Sequence, residues 1–346
     1  MRVGILTYHR SLNHGAYLQA YGTLKTLLAM GHDVEIINYC NQKHWYMDMV
    51  KPWFAYRRPV RFLDRIKKGK AFRRDWALMK STPFTKDPDR VKSWHYDAII
   101  VGSDTVWNFK QFGVDPLYFG GANADHMVAY APSFGTVKYG DVLPVEVENG
   151  IRSFDTLCAR DSYTKQIVDG ITGQDVPLVL DPAFLLDWEQ LEVTPRPLKQ
   201  PFIMVYGSAY ADSDANFIIK LAKERGWKIV SFGNIRNRWA EYSPMEVGPL
   251  DSMRYFKHAE FVVSSTFHGC VFAICCRKNF FARLSLGSQE KVQALLGMFG
   301  LQDRASFELG NLVDEAVHDI EYANIWPMLE KHVQASKAYL KQALDN

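Results

Sequence analysis

The chain has 346 residues, more than a single hydrophobic core usually organises, so we expect two domains. Its 47% hydrophobic and 14% aromatic content argues against a disordered protein. The five cysteines form neither a CxxC pair nor a Cys/His cluster, which argues against a disulfide framework and a zinc site. The N-terminus lacks the apolar core of a signal peptide, and no apolar run reaches the roughly 18 residues that cross a bilayer. We therefore expect a soluble cytoplasmic protein.

The net charge of +3 hides a strongly basic segment. Residues 51–74 hold ten Lys and Arg residues and one acid, so the rest of the chain is net negative. One interpretation is a solvated surface helix. The other is a patch that contacts anionic lipid head groups or a polyphosphate-bearing acceptor at the inner face of the membrane. The apolar residues between the charges are Trp53, Phe54, Phe62 and Ile66. No other basic stripe or binding motif accompanies the segment, so nucleic acid is not an expected partner.

Short apolar runs alternate with helical patterns along the chain, which is typical of parallel α/β architecture. In the first half, a helix is predicted over 16–29. The strands predicted in this half are 2–6, 33–38, 97–101, 127–131 and 156–159. Residues 181–201 contain four prolines and little periodicity, which predicts a linker.

A second α/β set follows this linker. Its predicted strands are 202–206, 228–232, 260–264 and 280–284, with helices near 212–225, 250–258, 268–277 and 288–299. The predicted domains are therefore residues 1–180 and 202–322, and a C-terminal helix in 323–346 is expected to pack back on the first domain. Two Rossmann-like domains that face each other across a cleft characterise the GT-B class of transferases. Ligands of open α/β sheets bind beyond the carboxyl ends of the strands, so candidate residues are sought there.

Two predicted strand ends in the first domain carry candidate acceptor-binding residues. Asn13, His14 and Gly15 open the first helix, where Asn13 either caps the helix or contacts a ligand. Asp104 follows the third strand and either caps a helix or binds or deprotonates an acceptor hydroxyl. Trp107 offers a flat apolar face of the kind on which sugars stack.

Arg160 ends another apolar run of the first domain. A guanidinium in such a place is costly to desolvate without an anionic partner. The neighbouring Asp161 is a structural partner, whereas a carboxylate or phosphate ligand is the functional one, because the planar fork of Arg matches either group.

The stretch VVSSTFHGCVFAICC at 262–276 places a histidine where a strand passes into a helix. Ser264, Ser265 and Thr266 end the strand and are candidates to bind an anionic donor, because the free N–H groups of the following helix favour an anion. His268 exchanges protons near neutral pH, although a lone histidine beside an apolar helix is more often structural. Lys291, in the first turn of a later helix, suggests an anionic ligand or compensation by Glu290.

Several common catalytic motifs are missing from the sequence. No P-loop, GxGxxG, HExxH or GxSxG occurs in the structural context that it needs, and no DxD metal motif lies at a strand end. We therefore expect neither a bound metal nor a resident cofactor.

Taken together and in order, these residues resemble the polysaccharide pyruvyl transferase family. The matching pieces are NHGAYLQAYGTLKTLLAMGHDVEIINY, DAIIVGSDTVWN, YAPSFG, ARDSYT, LVLDPAFLLDW, SSTFHGCVFAI and EKVQALLGMFGL. The resemblance implies a GT-B-like fold and transfer of a pyruvyl group from phosphoenolpyruvate to two hydroxyls of a sugar. The product would be a cyclic ketal on a cell-surface polysaccharide precursor, with a lipid-linked oligosaccharide as one form of the acceptor.

The resemblance also implies roles for individual residues. The family's phosphoenolpyruvate-binding arginine corresponds to Arg160, its active-site histidine to His268, and a downstream basic residue to Lys291. Many members carry Arg-Leu directly before the histidine, where this chain has Thr266 and Phe267. Lys291, Arg283 or the backbone amides of the turn are the candidates to replace the missing cation.

Two other functions remain open at this stage. One is a GT-B glycosyltransferase that uses a nucleotide sugar, although no clear acidic ribose pocket is visible in the second half. The other is a catalytically silent glycan-binding homologue, which the Thr266 and Phe267 departure keeps open.

Overall fold

The computed structural model describes residues 1–51, 59–188, 196–207, 210–233, 237–287, 289–312 and 319–345, with the backbone alone at 59–61. Internal contacts divide the chain into two compact units. Unit 1 comprises Met1–Pro59, Arg73–Leu186 and Lys331–Asn346, and unit 2 comprises Val60–Phe72 and Asp187–Glu330. Trp53 and Phe54 of the basic segment, and 189–195 of the predicted linker, lie outside the described residues.

Unit 1 contains a parallel sheet of four strands in the order β2-β1-β3-β4. These strands are β1 (Arg2–Leu6), β2 (Asp33–Ile36), β3 (Tyr96–Val101) and β4 (Ala124–Ala129). Because all the pairs are parallel, the carboxyl ends of the four strands meet at one edge.

The helices up to Phe109–Phe112 lie between these strands along the chain, and the later ones follow β4. The helices are α1 (His14–Ala29), α2 (Gln42–Trp45), α3 (Pro59–Trp76), α4 (Pro88–Lys92), α5 (Phe109–Phe112), α6 (Val145–Arg152) and α7 (Ser162–Thr172). Within Pro59–Trp76, residues 60–72 belong to unit 2. A π-helical turn, Tyr46–Val50, continues α2. Short 3₁₀ helices occupy Pro116–Phe119 and Pro182–Leu185.

Unit 2 contains a second parallel sheet, in the order β6-β5-β7-β8-β9. Its strands are β5 (Phe202–Tyr206), β6 (Lys228–Phe232), β7 (Phe261–Ser264), β8 (Phe280–Arg283) and β9 (Ala305–Ser306). Its helices are α8 (Asp212–Arg225), α9 (Pro249–His258), α10 (Phe267–Cys275) and α11 (Gln289–Met298), with 3₁₀ turns at Gln302–Arg304 and Leu309–Asn311. The last helix is α12 (Tyr322–Asp345).

The two parallel sheets with flanking helices confirm the predicted α/β class. β5 and β6 have the predicted bounds. β5 is a continuous apolar run, FIMVY, as a strand buried on both faces requires. The strand predicted at 156–159 is wrong. This segment forms only isolated bridges, from Thr156 to Val128 and from Ala159 to Leu178. Asp155 directly precedes this segment, and its side chain, in place of a backbone carbonyl, accepts from Met127 N of β4 at 2.7 Å.

The first residues of the predicted linker are part of unit 1 and have regular structure. Residues 181–185, predicted to begin the linker, are buried and form the 3₁₀ helix Pro182–Leu185, and unit 1 continues to Leu186. Gly22 of α1 permits this approach, because a Cβ there would lie 2.4 Å from the Pro182 carbonyl oxygen.

Among the described residues, none of the helices combines the length and the apolar character needed to span a membrane.

Candidate active site

In unit 1, Arg160 lies among side chains that follow the carboxyl ends of the strands. Its Nη1 donates to Asp181 Oδ2 at 2.8 Å and to Ser103 Oγ at 3.3 Å. Its Nη2 lies 3.7 Å from Asp104 Oδ1. The side chains of Arg160 and Asp181 are only 3% and 0% exposed. The carboxylates supply the anionic partners that a buried guanidinium requires.

The sequence pattern missed Asp181 as the main partner of Arg160. The neighbouring Asp161, considered as the structural partner, instead caps α7 by accepting a hydrogen bond from Thr164 N at 2.8 Å. Asp181 also accepts from Ala183 N at 3.0 Å, so it caps the 3₁₀ helix through Oδ1 and holds Arg160 through Oδ2. The Asp-Pro pair at 181–182 is a capping signal, but it does not reveal an ion pair 21 residues distant.

Asp104 is held at the end of β3 in a left-handed conformation, with φ 71°. Aspartate is one of the few residues that tolerate this region. Its Oδ1 accepts a hydrogen bond from Thr105 N at 2.8 Å, and its side chain is partly exposed. The hydrogen bond within the turn therefore accounts for Oδ1 of Asp104. Binding of the acceptor by Asp104 stays a prediction.

The prediction that Trp107 stacks on a sugar is wrong for this structure. Trp107 is completely buried, and its Nε1 donates to the Tyr118 carbonyl at 2.8 Å. The rings of Phe134 and Phe154 pack against it at centroid distances of 5.4 and 5.7 Å. A large aromatic side chain near a strand end contributes more by burial in the core than by exposure to ligand.

Asn13 caps α1, with its Oδ1 accepting from Gly15 N at 2.9 Å and from Ala16 N at 3.4 Å. His14 and Gly15 are buried in the first turn of the helix. The capping interpretation of Asn13 therefore holds. Because its side chain is exposed, an additional acceptor contact stays a prediction, as do the predicted roles of His14 and Gly15.

A buried polar chain joins the ends of β1 and β3 beside Arg160. Thr7 Oγ1 donates to the Ser103 carbonyl at 2.9 Å, and Gln19 Nε2 donates to Thr7 Oγ1 at 3.0 Å. Sequence reasoning missed Thr7 and Gln19, because single polar residues within apolar runs carry no periodic signal. These bonds fix the strand ends that position Ser103 and Asp104.

His9 is a second buried titratable group near the end of β1. Its Nδ1 lies 3.1 Å from the Thr7 carbonyl and its Nε2 lies 3.2 Å from Asn38 Oδ1. Burial lowers the pKa of His9 to about 4, because the charged imidazolium loses its hydration. His9 is therefore neutral at physiological pH.

In unit 2, the turn between β7 and α10 is built by its own hydroxyl groups. Ser264 Oγ donates to the Thr266 carbonyl at 3.0 Å and accepts from Thr266 N at 3.1 Å. Thr266 Oγ1 caps α10 by accepting from Gly269 N at 3.1 Å. Ser264 is fully buried, so its predicted contact with the donor is wrong in this structure.

Ser265 is also largely enclosed. Its N–H donates to the Tyr206 carbonyl at 3.0 Å. Gly207, with φ 116°, packs so closely that a Cβ there would lie 2.1 Å from Ser265 Oγ. Donor binding by Ser265 and Thr266 stays a prediction, with Thr266 the more exposed of the two.

His268 occupies the second position of α10 and is half-buried. Its ring stacks on Phe272, with centroids 6.0 Å apart, and meets the edge of Phe267 at 5.5 Å. The helix packs tightly on β7, because a Cβ at Gly269 would lie 2.0 Å from Ser264 Oγ. The histidine is thus held at a helix N-terminus, where a negative charge is also favoured.

The cations considered as replacements for the missing arginine have different surroundings. Arg283 Nε donates to the buried Asp214 at 3.1 Å, and its Nη1 donates to the Leu284 carbonyl at 3.0 Å. Arg283 is therefore engaged within unit 2. The replacement of the missing cation by Lys291 or the amides of the turn stays a prediction. Lys291 is the third residue of α11 and is half-buried.

In the part of the chain that the structure describes, no group of three His, Cys, Asp or Glu side chains is arranged to hold a metal ion. None of the five cysteines is part of a disulfide. Burial raises the pKa of the Cys158 thiol to about 12, so this thiol stays protonated.

The fold is similar to solved structures of sugar-nucleotide enzymes. UDP-GlcNAc 2-epimerase from Neisseria meningitidis bound to UDP-GlcNAc is 13% identical over all of both chains, with a TM-score of 0.55. A putative UDP-N-acetylglucosamine 2-epimerase from Listeria monocytogenes is 10% identical over 98% of this chain and 92% of its own, with a TM-score of 0.48. The E. coli heptosyltransferase WaaC with ADP-2-deoxy-2-fluoro heptose is 12% identical over 85% and 96%, with a TM-score of 0.39. At 13% identity the likeness to the Neisseria meningitidis epimerase shows the fold alone, which is GT-B-like.

The sequence comparison is more specific than the structural one. Curated proteins give no match to this chain. The sequence profile of the family described as Polysaccharide pyruvyl transferase matches residues 13–283. This range includes Asn13, Asp104, Arg160 and His268 and covers well over half of the chain. The chain therefore belongs to the polysaccharide pyruvyl transferase family, and it is a transferase with a GT-B-like fold.

Proposed function

We propose that this protein transfers a pyruvyl group from phosphoenolpyruvate to two hydroxyls of one sugar in a cell-surface polysaccharide precursor. The product is a cyclic ketal, and inorganic phosphate is released. The observation that carries the proposal is the family match, whose range includes both Arg160 and His268. Arg160 is a buried cation beyond the strand ends of unit 1, and His268 lies at a helix N-terminus of unit 2.

The contacts of Arg160 support a specific way of holding the donor. Asp181 is the tighter and more deeply buried partner, whereas Asp104 is more exposed and lies 3.7 Å away. In the proposal, the donor's carboxylate or phosphate takes the place of Asp104 at Nη2, and Asp181 keeps Nη1. The exchange preserves a charge-assisted pair on the buried guanidinium. It also leaves the Asp104 carboxylate available to accept a proton from an acceptor hydroxyl.

The chemistry needs one proton at carbon and the loss of two hydroxyl protons. A proton is added to the methylene carbon C3 of phosphoenolpyruvate, which makes C2 electrophilic, and a sugar hydroxyl attacks C2. The bond from C2 to the phosphate oxygen then breaks, and a second hydroxyl of the same sugar closes the ketal. Of the two protons released by the hydroxyls, one balances that added to C3 and the other leaves with phosphate. His268 is the proposed general acid and base, and Lys291 and the turn amides stabilise the donor's negative charge.

The proposed acceptor contacts lie at the strand and helix ends of unit 1. Asp104 and the exposed side chain of Asn13 are the strongest candidates, followed by His14 and Gly15. Trp107 is not part of this proposal, because it belongs to the hydrophobic core.

A donor comparison tests the proposal against a nucleotide-sugar transferase. Phosphoenolpyruvate should raise the melting temperature of the wild-type protein, and Arg160→Met should abolish the shift. UDP-GlcNAc and other nucleotide sugars should give no shift. Stabilisation by a nucleotide sugar alone would overturn the proposed donor. Acceptor binding without phosphate release from phosphoenolpyruvate would instead identify a silent glycan-binding protein.

The proposed reaction uses fixed cations and no resident metal or cofactor. Arginine and lysine side chains, together with helix N–H groups, can stabilise the developing phosphate charge. We therefore expect turnover to survive dialysis against EDTA within a factor of two. A loss that added Mg²⁺ or Zn²⁺ restores would contradict this part of the proposal.

We also propose that α3 brings the protein to an anionic membrane that carries a lipid-linked acceptor. In the described part of the basic segment, Phe62 and Leu63 are 48% and 59% exposed. The same helix carries the exposed basic residues Lys67, Lys70, Arg73 and Arg74. Lys68 does not belong to this surface, because burial lowers its pKa to about 8. Vesicles with 30% phosphatidylserine should sediment the wild type at low salt, and Phe62→Ser/Leu63→Ser should weaken this binding. Equal binding by both proteins, or none by the wild type, would remove the proposal.

A further inference from the structure

A cleft in unit 1 is separate from the residues assigned above. Its volume is about 330 Å³, within the range of about 300–1,000 Å³ that is typical of small-molecule sites. Three parts of the chain form it: the segment after β2, helix α4, and the segment that follows α5. Its walls combine apolar groups with a few polar ones. The lining residues used below are Tyr39, Asn41, Lys43, Lys92, Phe112, Val114, Asp115 and Leu117.

A buried carboxylate is the main polar group of this cleft. Asp115 Oδ2 accepts hydrogen bonds from Tyr39 Oη at 2.8 Å and from Asn41 Nδ2 at 3.1 Å. Asp115 Oδ1 accepts from Leu117 N at 3.2 Å. These donors come from two separate segments and hold the carboxylate in one orientation. Because a carboxylate offers about four acceptor positions, one remains for a hydroxyl of a ligand.

The opposite charge lies at the rim of the same cleft. Lys43 and Lys92 both line it and both are exposed. Lys92 Nζ lies 3.6 Å from Asp89 Oδ1 in an exposed pair. Each ammonium group has three donors and can also bind a hydroxyl or an anionic group of a ligand. Phe112 adds an apolar ring, which is held in place by the His44 ring stacked on it at a centroid distance of 4.2 Å. Hydrogen-bond acceptors, donors and an aromatic surface in one cleft suit the hydroxyls and C–H faces of a sugar.

From this arrangement we infer that the cleft is a subsite for an acidic saccharide unit. Asp115 accepts a sugar hydroxyl, Phe112 contacts the apolar face of the ring, and the two lysines bind the carboxylate of the sugar. In an enzyme that acts on a polysaccharide precursor, such a subsite selects the acceptor by binding a sugar unit other than the one that receives the pyruvyl group. That last role rests on the proposed function, but binding of the sugar does not.

Binding is tested without phosphoenolpyruvate, so failure of the proposed transfer reaction would not affect the result. The wild-type protein is labelled at Val and Leu methyl groups and titrated with methyl glucuronide, methyl galacturonide and methyl glucoside. Val114 and Leu117 report on the cleft, and Val142, which is 93% exposed elsewhere in unit 1, reports on non-specific effects. We expect saturable shifts of the Val114 and Leu117 signals with at least one acidic glycoside, and weaker binding of methyl glucoside.

Two double variants separate the cleft from general surface charge. Lys43→Ala/Lys92→Ala should weaken binding of the acidic glycoside at least tenfold. The matched control, Lys110→Ala/Lys138→Ala, removes two exposed lysines outside the cleft and should bind as the wild type does. The inference is overturned if neither acidic glycoside moves the Val114 and Leu117 signals, or if both double variants bind equally well. It is also overturned if inorganic phosphate moves these signals as strongly as the acidic glycosides, because the cleft would then be a simple anion site.

Discussion

Arg160 and Asp181 form a buried ion pair in unit 1, with Nη1 2.8 Å from Oδ2 and both side chains shielded from solvent. Asp104 provides a second, longer and more exposed carboxylate contact to the same guanidinium. This asymmetry suggests that one carboxylate keeps the arginine in place while the other can exchange with a substrate anion. It gives the two aspartates distinct and testable roles.

Asp181→Asn should destabilise the protein more than Asp104→Asn. Asparagine keeps an oxygen that can cap the 3₁₀ helix at Ala183, but it leaves the buried guanidinium without its main counter-charge. Breaking a buried ion pair in this way costs about 3–5 kcal/mol of unfolding free energy, whereas the more exposed pair should cost about 1 kcal/mol or less. Urea denaturation of both variants measures the difference. Equal losses would contradict the division of roles.

His268→Gln should lower the rate of phosphate release from phosphoenolpyruvate by about 10²–10⁴-fold, because a general acid or base contributes about that much. The melting temperature should stay near that of the wild type, since His268 is only half-buried. His95→Gln is the matched control, because His95 is exposed and precedes β3 at the opposite end of the strand from Asp104. Near-normal turnover in His268→Gln would rule out its proposed role.

Stability should fall as the pH drops from about 6.5 towards 4, in part because of His9. Its folded pKa is about 4, below the ordinary value of 6.5, so the unfolded chain binds this proton first. The neutral buried form therefore contributes to stability above pH 6.5, and up to about 3 kcal/mol is lost by pH 4. His9→Gln should have a shallower pH dependence between these values in urea titrations. An identical dependence would show that His9 is not the titrating group.

Gly269→Ala should destabilise unit 2 and disturb the position of His268. The added methyl would lie 2.0 Å from Ser264 Oγ and 2.7 Å from Tyr206 Cδ1, and overpacking of this kind costs about 1–3 kcal/mol. Gly297→Ala in α11 is the matched control, because its Cβ meets no atom closer than 3.6 Å. The control should stabilise the protein by about 0.5–1 kcal/mol, since alanine favours a helix over glycine. Thermal unfolding in which both variants lose stability equally would contradict the packing argument.

Apolar runs located most of the strands, because a strand buried on both faces must be continuously apolar. The segment 202–206 shows this well, since it is FIMVY in sequence and is fully buried as β5. The same signal failed at 156–159, where hydrophobicity marks burial beside β4 without a continuous ladder of hydrogen bonds. An apolar run in the sequence indicates that a segment is buried. Whether the segment pairs as a strand also depends on the backbone groups of the strands beside it.

The side chains beyond the strand ends were harder to predict than the strands. Arg160 was found because a guanidinium after an apolar run needs a partner, but Asp181 was not, because it lies far along the chain. The positions of Trp107 and Ser264 after strands predict ligand contacts, yet both side chains are buried by contacts with distant or backbone groups. Position in a parallel sheet predicts where a site lies, whereas exposure of each side chain depends on tertiary packing.

The central claim is that phosphoenolpyruvate is the donor and a sugar ketal is the product. The direct measurement is mass spectrometry of lipid-linked oligosaccharides incubated with the wild-type protein and phosphoenolpyruvate, alongside His268→Gln. We predict a product heavier by one pyruvate less one water, formed with equimolar phosphate by the wild type and largely missing with the variant. Release of phosphate without this product, or transfer of a sugar from a nucleotide donor to the same acceptors, would contradict the claim.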